Sequence, residues 1–265
     1  MNKEYRFSKT KDGKSVDCGY MRIMDSSEAE ESAELYFYGD ICGSSFDSRW
    51  LAEDKAPQDV SDFLHSLNKK KRIDVYVNSG GGDVFGGIAI YNILSRYEGE
   101  TVAHIDGIAA SIAGIIPFAC DRVIAKPSAQ IMLHKPWTGC FGNADDMKKC
   151  IEALDACEQS IVDIYSQHAV NGTTTDKIKQ MIDRETWLTC EQAAQYFSIE
   201  LEHSEQAPQA CVSDLLESYK NTPSKLLQRS KETDEQSPIK EKLQLELEAL
   251  SCTINRKKVH NNDKD

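Results

Sequence analysis

The run "IDVYVNSGGGDVFGGIAIYNILSRY" (73–97) constrains the fold more than any other part of this 265-residue chain. Ile73, Val75 and Val77 recur at every second position, the period that predicts a β-strand over Ile73 to Asn78. Glycines follow at once. Then Ile88, Ile90, Tyr91, Leu94 and Tyr97 stand at the spacing of a packed helix. The pattern repeats downstream. "TVAHIDG" reads as a strand, the segment opened by Ser111 as a helix, and "RVIAKPSAQIMLHKP" as two short strands around Pro127. A long helix from about Asn143 follows, carrying Met147, Ile151, Leu154, Ile161 and Tyr165, with Asn143 or Asp145 placed to cap it. Strands alternating with helices predict an α/β fold with a largely parallel sheet.

Composition divides the chain into three zones. Residues 1–33 are polar and end in "DSSEAEESAE", predicting a loosely ordered arm. Residues 34–202 hold the alternating elements. Residues 203–265 are charged and punctuated by Pro223 and Pro238, as a linker and extension would be. Near the end, "EKLQLELEALS" alternates leucines like a strand but is composed like a helix; a short helix is expected. The 31 basic against 43 acidic side chains give a net charge of −12, which argues against nucleic acid or an anionic membrane as partner. The nine cysteines are scattered and never spaced CxxC, so neither a zinc site nor a disulfide framework is expected. No apolar run suits a signal peptide or reaches the roughly 18 residues of a membrane helix, and a cytoplasmic setting follows.

Few residues offer chemistry. "NSGGGDVFGG" leaves backbone N–H groups free to meet an anion, but lacks the GxGxxG and Gly-Lys-Ser/Thr patterns of nucleotide sites. It also reads as a plain strand-to-helix connection, with Gly86 and Gly87 letting the helix pack closely. Ser111 is the lone hydroxyl in "DGIAASIAGIIPFA". It stands where a strand runs into a helix start, beside N–H groups that lack intrahelical partners. Such a serine either caps the helix or holds a nucleophile next to an oxyanion site. His134 ends the apolar strand "AQIMLH", and reads as a structural histidine or a general base. Asp183 and Glu185, in "MIDRETWL", lie two residues apart and would face the same side if extended; read alone they are surface carboxylates.

Taken in order, "NSGGGDV", "GIAAS", "IMLHKPWTG" and "DRETWLTCEQAAQY" resemble the Clp protease proteolytic subunit (ClpP) family, over about Tyr36 to Leu201. The resemblance implies a crotonase-like α/β core and a serine endopeptidase without cofactor or metal. Ser111 would be the nucleophile, His134 the general base, and the N–H groups of Gly82 and Ile112 the oxyanion hole. Glu185 falls in register with the family's aspartate, with Asp183 as the alternative third member. The helix spanning about 143–170 would be the handle through which homo-oligomeric rings stack. "GGDVFGGIAIYN", "HKPWTGCFGNADDM" and "ETWLTCEQA", with the polar C-terminal extension, look closest to the phage and prophage head maturation branch. That branch implies capsid or scaffold proteins as substrates. A housekeeping subunit working with a Clp unfoldase ATPase, or an inert ring-forming scaffold, are the competing readings.

Overall fold

The computed structural model describes residues 3–11, 14–25, 32–41, 56–66, 72–202 and 213–227. Its centre is a sheet of three long neighbours: β3 (Ser32–Ile41), β4 (Arg72–Gly82) and β5 (Thr101–Ala110), all parallel. β4 contains the strand that the alternation over Ile73 to Asn78 predicts, and Ile73, Val75 and Val77 are fully buried in it. Asp74 is buried on the same strand because Arg72 and His104 hold it, at 2.6 and 3.0 Å. Paired this way, a carboxylate avoids the penalty of an isolated buried charge.

β5 splits the sheet. Its first half pairs β6 (Arg122–Ala125), and its second half pairs β7 (Gln130–Leu133), both parallel. β7 then pairs antiparallel with β8 (Thr186–Thr189), and β6 pairs β9 (Glu200–Leu201) in parallel. On the other side, β1 (Lys3–Lys11) and β2 (Lys14–Asp25) form a hairpin added antiparallel to β3. Polar composition predicts a loose arm there; the structure instead extends the sheet. A hairpin joining a sheet edge draws on backbone hydrogen bonds, which hydropathy does not report.

Helices α1 (Ala56–Ser66) and α2 (Val84–Leu94) follow, with α2 capped by Asp83, whose side chain accepts from the Gly86 N–H at 2.6 Å. The segment after β5, expected as an ordinary helix, is a 3-10 helix over Ser111–Ala119 and almost wholly buried. Pro117 lies inside it. A β-carbon on Gly87 would stand 2.3 Å from Ile112 Cγ1, so this glycine is where α2 seats against the 3-10 helix.

Helix α3 (Ala144–Gln167) is capped by Asn143 in a reciprocal box with Asp146. Its burial is one-ended. Cys157, Ile161, Val162, Ile164 and Tyr165 are buried, whereas Met147 and Ile151 nearer its start are 37% and 58% exposed. α4 (Thr175–Asp183) and the short α5 (Cys190–Ala193) complete the domain. Chain contacts divide the molecule into Met1–Pro223 and Ser224–Asp265. Within the latter, Ser224–Leu227 form a helical turn, and the segment "EKLQLELEALS" lies outside the described residues. None of the described helices is long and apolar enough to cross a membrane.

Candidate active site

β5 delivers Ser111 to the end of the sheet. Ala110 is still extended, and Ser111 then turns into the left-handed region at φ 54°, where the 3-10 helix begins. A non-glycine residue held there costs on the order of 1 to 3 kcal/mol and persists only where its surroundings enforce it. The enforcing neighbour is Gly81, itself at φ 106°. A β-carbon on Gly81 would fall 2.7 Å from Ser111 Cβ and 2.9 Å from the Ala110 carbonyl oxygen. The glycine run thus presses its backbone directly against the serine. Gly82, at φ 145°, is the close approach to Ile41: a β-carbon there would meet the Ile41 carbonyl at 2.0 Å.

β7 delivers His134 one residue past its own end. The Ser111 hydroxyl lies 2.7 Å from His134 Nε2. The serine therefore does not cap the helix; the helix has no side-chain cap, and its hydroxyl is spent on the imidazole. Burial lowers the His134 pKa below its ordinary value, while the Glu185 charge partly opposes this. A histidine so shifted is neutral at neutral pH, and in the tautomer protonated at Nδ1 its Nε2 accepts the hydroxyl proton.

The two carboxylates part company. Asp183, at the end of α4, pairs with Lys135 at 2.9 Å on the surface, and Lys135 also meets Glu158 of α3 at 3.0 Å. Glu185 stands in a left-handed turn at φ 48°. Its charge acts on His134, but its two oxygens accept hydrogen bonds from the backbone N–H groups of Lys220 (2.9 Å) and Asn221 (2.5 Å). Among the described residues, the hydrogen bond made by the His134 ring is the one with Ser111.

Sequence reasoning missed two residues of this constellation. Gly81, rather than its neighbour, touches Ser111, and a run of three glycines gives no way to rank them. Tyr219 packs edge-on against the His134 ring at a centroid distance of 4.9 Å and donates to the Gly80 carbonyl at 2.5 Å. Its signal was a buried-type aromatic in a stretch read as linker. No group of three or more metal-ligating side chains occurs among the described residues.

The chain is 29% identical over 140 residues to the ATP-dependent Clp protease proteolytic subunit of Bacteroides fragilis, covering 52% of this chain and 67% of that protein. The identically named protein of Bacteroides thetaiotaomicron matches at 29% over 140 residues, with 63% of its length covered. The chain thus spans about two thirds of the relatives it matches. The Clp protease family model matches residues 52–200, more than half of the chain and the whole stretch that carries Ser111, His134 and Glu185, so the chain belongs to the Clp protease family.

Proposed function

We propose that this chain is a serine endopeptidase of the ClpP kind. One observation carries the reading: a serine held at φ 54° on a strand-to-helix turn, its hydroxyl 2.7 Å from a half-buried, neutral-favouring imidazole. His134 Nε2 takes the proton from Ser111 as its oxygen attacks a peptide carbonyl carbon. The developing oxyanion is met by the N–H groups of Gly82 and Ile112, donors each worth roughly a hundredfold to a thousandfold in rate. His134 then gives the proton to the leaving amine, and water releases the acyl group by the same route in reverse. In the active form Glu185 is the acceptor for the other ring nitrogen and fixes the tautomer, a bond that the arrangement described above does not make. Asp183 is engaged by Lys135, which favours Glu185 over it.

Self-assembly belongs to the same reading. The first half of α3 leaves Met147 and Ile151 exposed, and Trp137 and Phe141 just before it are 67% and 98% exposed. These residues suit a ring-to-ring contact between copies of this chain. The "HKPWTGCFGNADDM" stretch favours capsid or scaffold proteins as substrates in phage head maturation. The similarity to ATP-dependent Clp protease proteolytic subunits favours an ATPase partner instead. Labelling with a fluorophosphonate, followed by peptide mapping, tests the chemistry. Modification at Ser111 that is lost in His134→Ala is expected, and an unlabelled chain in its assembled form refutes it. Cleavage of folded substrates only when a Clp ATPase and ATP are added would decide for the ATPase-partnered reading.

A further inference from the structure

From the contacts of Ser213 to Thr222 we infer that this segment is an autoinhibitory strap, bound in cis across the catalytic residues and holding Glu185 away from His134. The inference rests on the protease reading above. Three independent anchors define the strap. At its start, Ser213 is buried, donates to Asp40 at 2.6 Å, and sits so close to the glycine run that a β-carbon on Gly80 would meet its hydroxyl at 2.4 Å. At its centre, Tyr219 lies against the His134 ring and ties itself to the Gly80 carbonyl, one residue before the glycine that touches Ser111. At its end, the Lys220 and Asn221 N–H groups occupy both oxygens of Glu185, while the Asn221 side-chain amide donates to the carbonyls of Arg184 and Glu185.

The last anchor makes the strap inhibitory rather than merely adjacent. A carboxylate keeps further lone pairs when each oxygen takes one backbone N–H, but the two donors fix its orientation, and in this orientation no hydrogen bond joins it to the His134 ring among the described residues. Without that partner, nothing fixes the histidine's tautomer or stabilises the imidazolium that forms as Ser111 attacks. Tyr219 meanwhile fills space against the general base that a substrate would approach. Only ten residues separate Glu202 from the strap's first residue, Ser213, so the strap competes as a tethered ligand, at an effective concentration on the order of millimolar.

The test uses the full chain. Fluorophosphonate labelling rates at Ser111 are compared for the wild type, Tyr219→Ala and Asn221→Pro; a synthetic peptide of residues 213–222 is then added to each variant. If the strap is closed in nine molecules of ten, releasing it raises the rate about tenfold. Faster labelling in the variants, slowed again by the peptide, is expected. Should Tyr219→Ala lose its fold by circular dichroism, Asn221→Pro decides, because it removes the N–H that occupies a Glu185 oxygen as well as the side-chain amide, at an exposed position. A wild type that labels while the folded variants label equally fast or more slowly overturns the strap and leaves the protease reading standing. If no form labels, the protease reading falls and the strap falls with it.

Discussion

Replacing Gly81 with alanine perturbs the site at the point of closest packing. At φ 106° an L side chain is strained wherever space exists, and here there is none: the new carbon meets Ser111 Cβ at 2.7 Å, the Ala110 carbonyl oxygen at 2.9 Å and Ser111 Oγ at 3.2 Å. Backbone strain of this sort costs about 1 to 3 kcal/mol. At about 2 to 4 °C per kcal/mol for a domain of this size, the melting temperature should fall by roughly 2 to 12 °C. The larger effect is on chemistry. Relief requires Ser111 to retreat, and a misplacement on the order of 1 Å costs about a hundredfold in rate. Labelling of Ser111, measured by mass mapping over time beside a thermal melt, should therefore slow by about that factor while the protein stays folded. Gly139→Ala is the control, since a β-carbon there meets nothing within 4 Å. Wild-type labelling by Gly81→Ala would refute the idea that this glycine holds the serine in place.

Other consequences follow from the same contacts. Labelling should rise with pH through a His134 pKa that lies below the ordinary histidine value and then level off; Glu185→Gln should move the rise to lower pH, because the carboxylate charge holds that pKa up. A profile shifted to higher pH would contradict the assigned electrostatics. Since the folded state disfavours the charged imidazole, His134 contributes stability above its unfolded pKa, and that contribution is lost as pH falls from about 6.5 through the lower folded value. Asp183→Asn should leave labelling nearly unchanged and cost at most about 1 kcal/mol in a denaturant melt, as its partner Lys135 is exposed and keeps Glu158. Gly114→Ala should destabilise, because its β-carbon would lie 2.4 Å from the buried, unpartnered Tyr165 hydroxyl; adding Tyr165→Phe should recover part of the loss in a thermal melt, and no recovery would place the clash elsewhere. Asn143→Ala should cost about 1 kcal/mol by breaking the capping box of α3.

The sequence by itself determined the elements whose signals are periodic or local. The alternation at Ile73, Val75 and Val77 gives β4, and the Asn143 cap gives the start of α3, because side-chain period and capping depend on neighbours within a few residues. Ser111 and His134 were legible as candidates because each breaks an apolar run at a strand end. Their pairing needed the tertiary structure: β5 and β7 lie side by side only through hydrogen bonds between residues over twenty apart in the chain. The stripe along α3 was visible as five apolar positions, yet only packing decided that Ile161 and Tyr165 are buried while Met147 and Ile151 are exposed. Tertiary structure alone also chose Gly81 as the glycine against Ser111. It drew Asp183 to Lys135, and it brought Tyr219 and the Lys220 and Asn221 amides from a stretch read as linker onto His134 and Glu185. The physical reason is common to all of these. A backbone N–H or a carboxylate carries no mark in sequence of which distant group it will meet, and that meeting is fixed only when the sheet closes around its core.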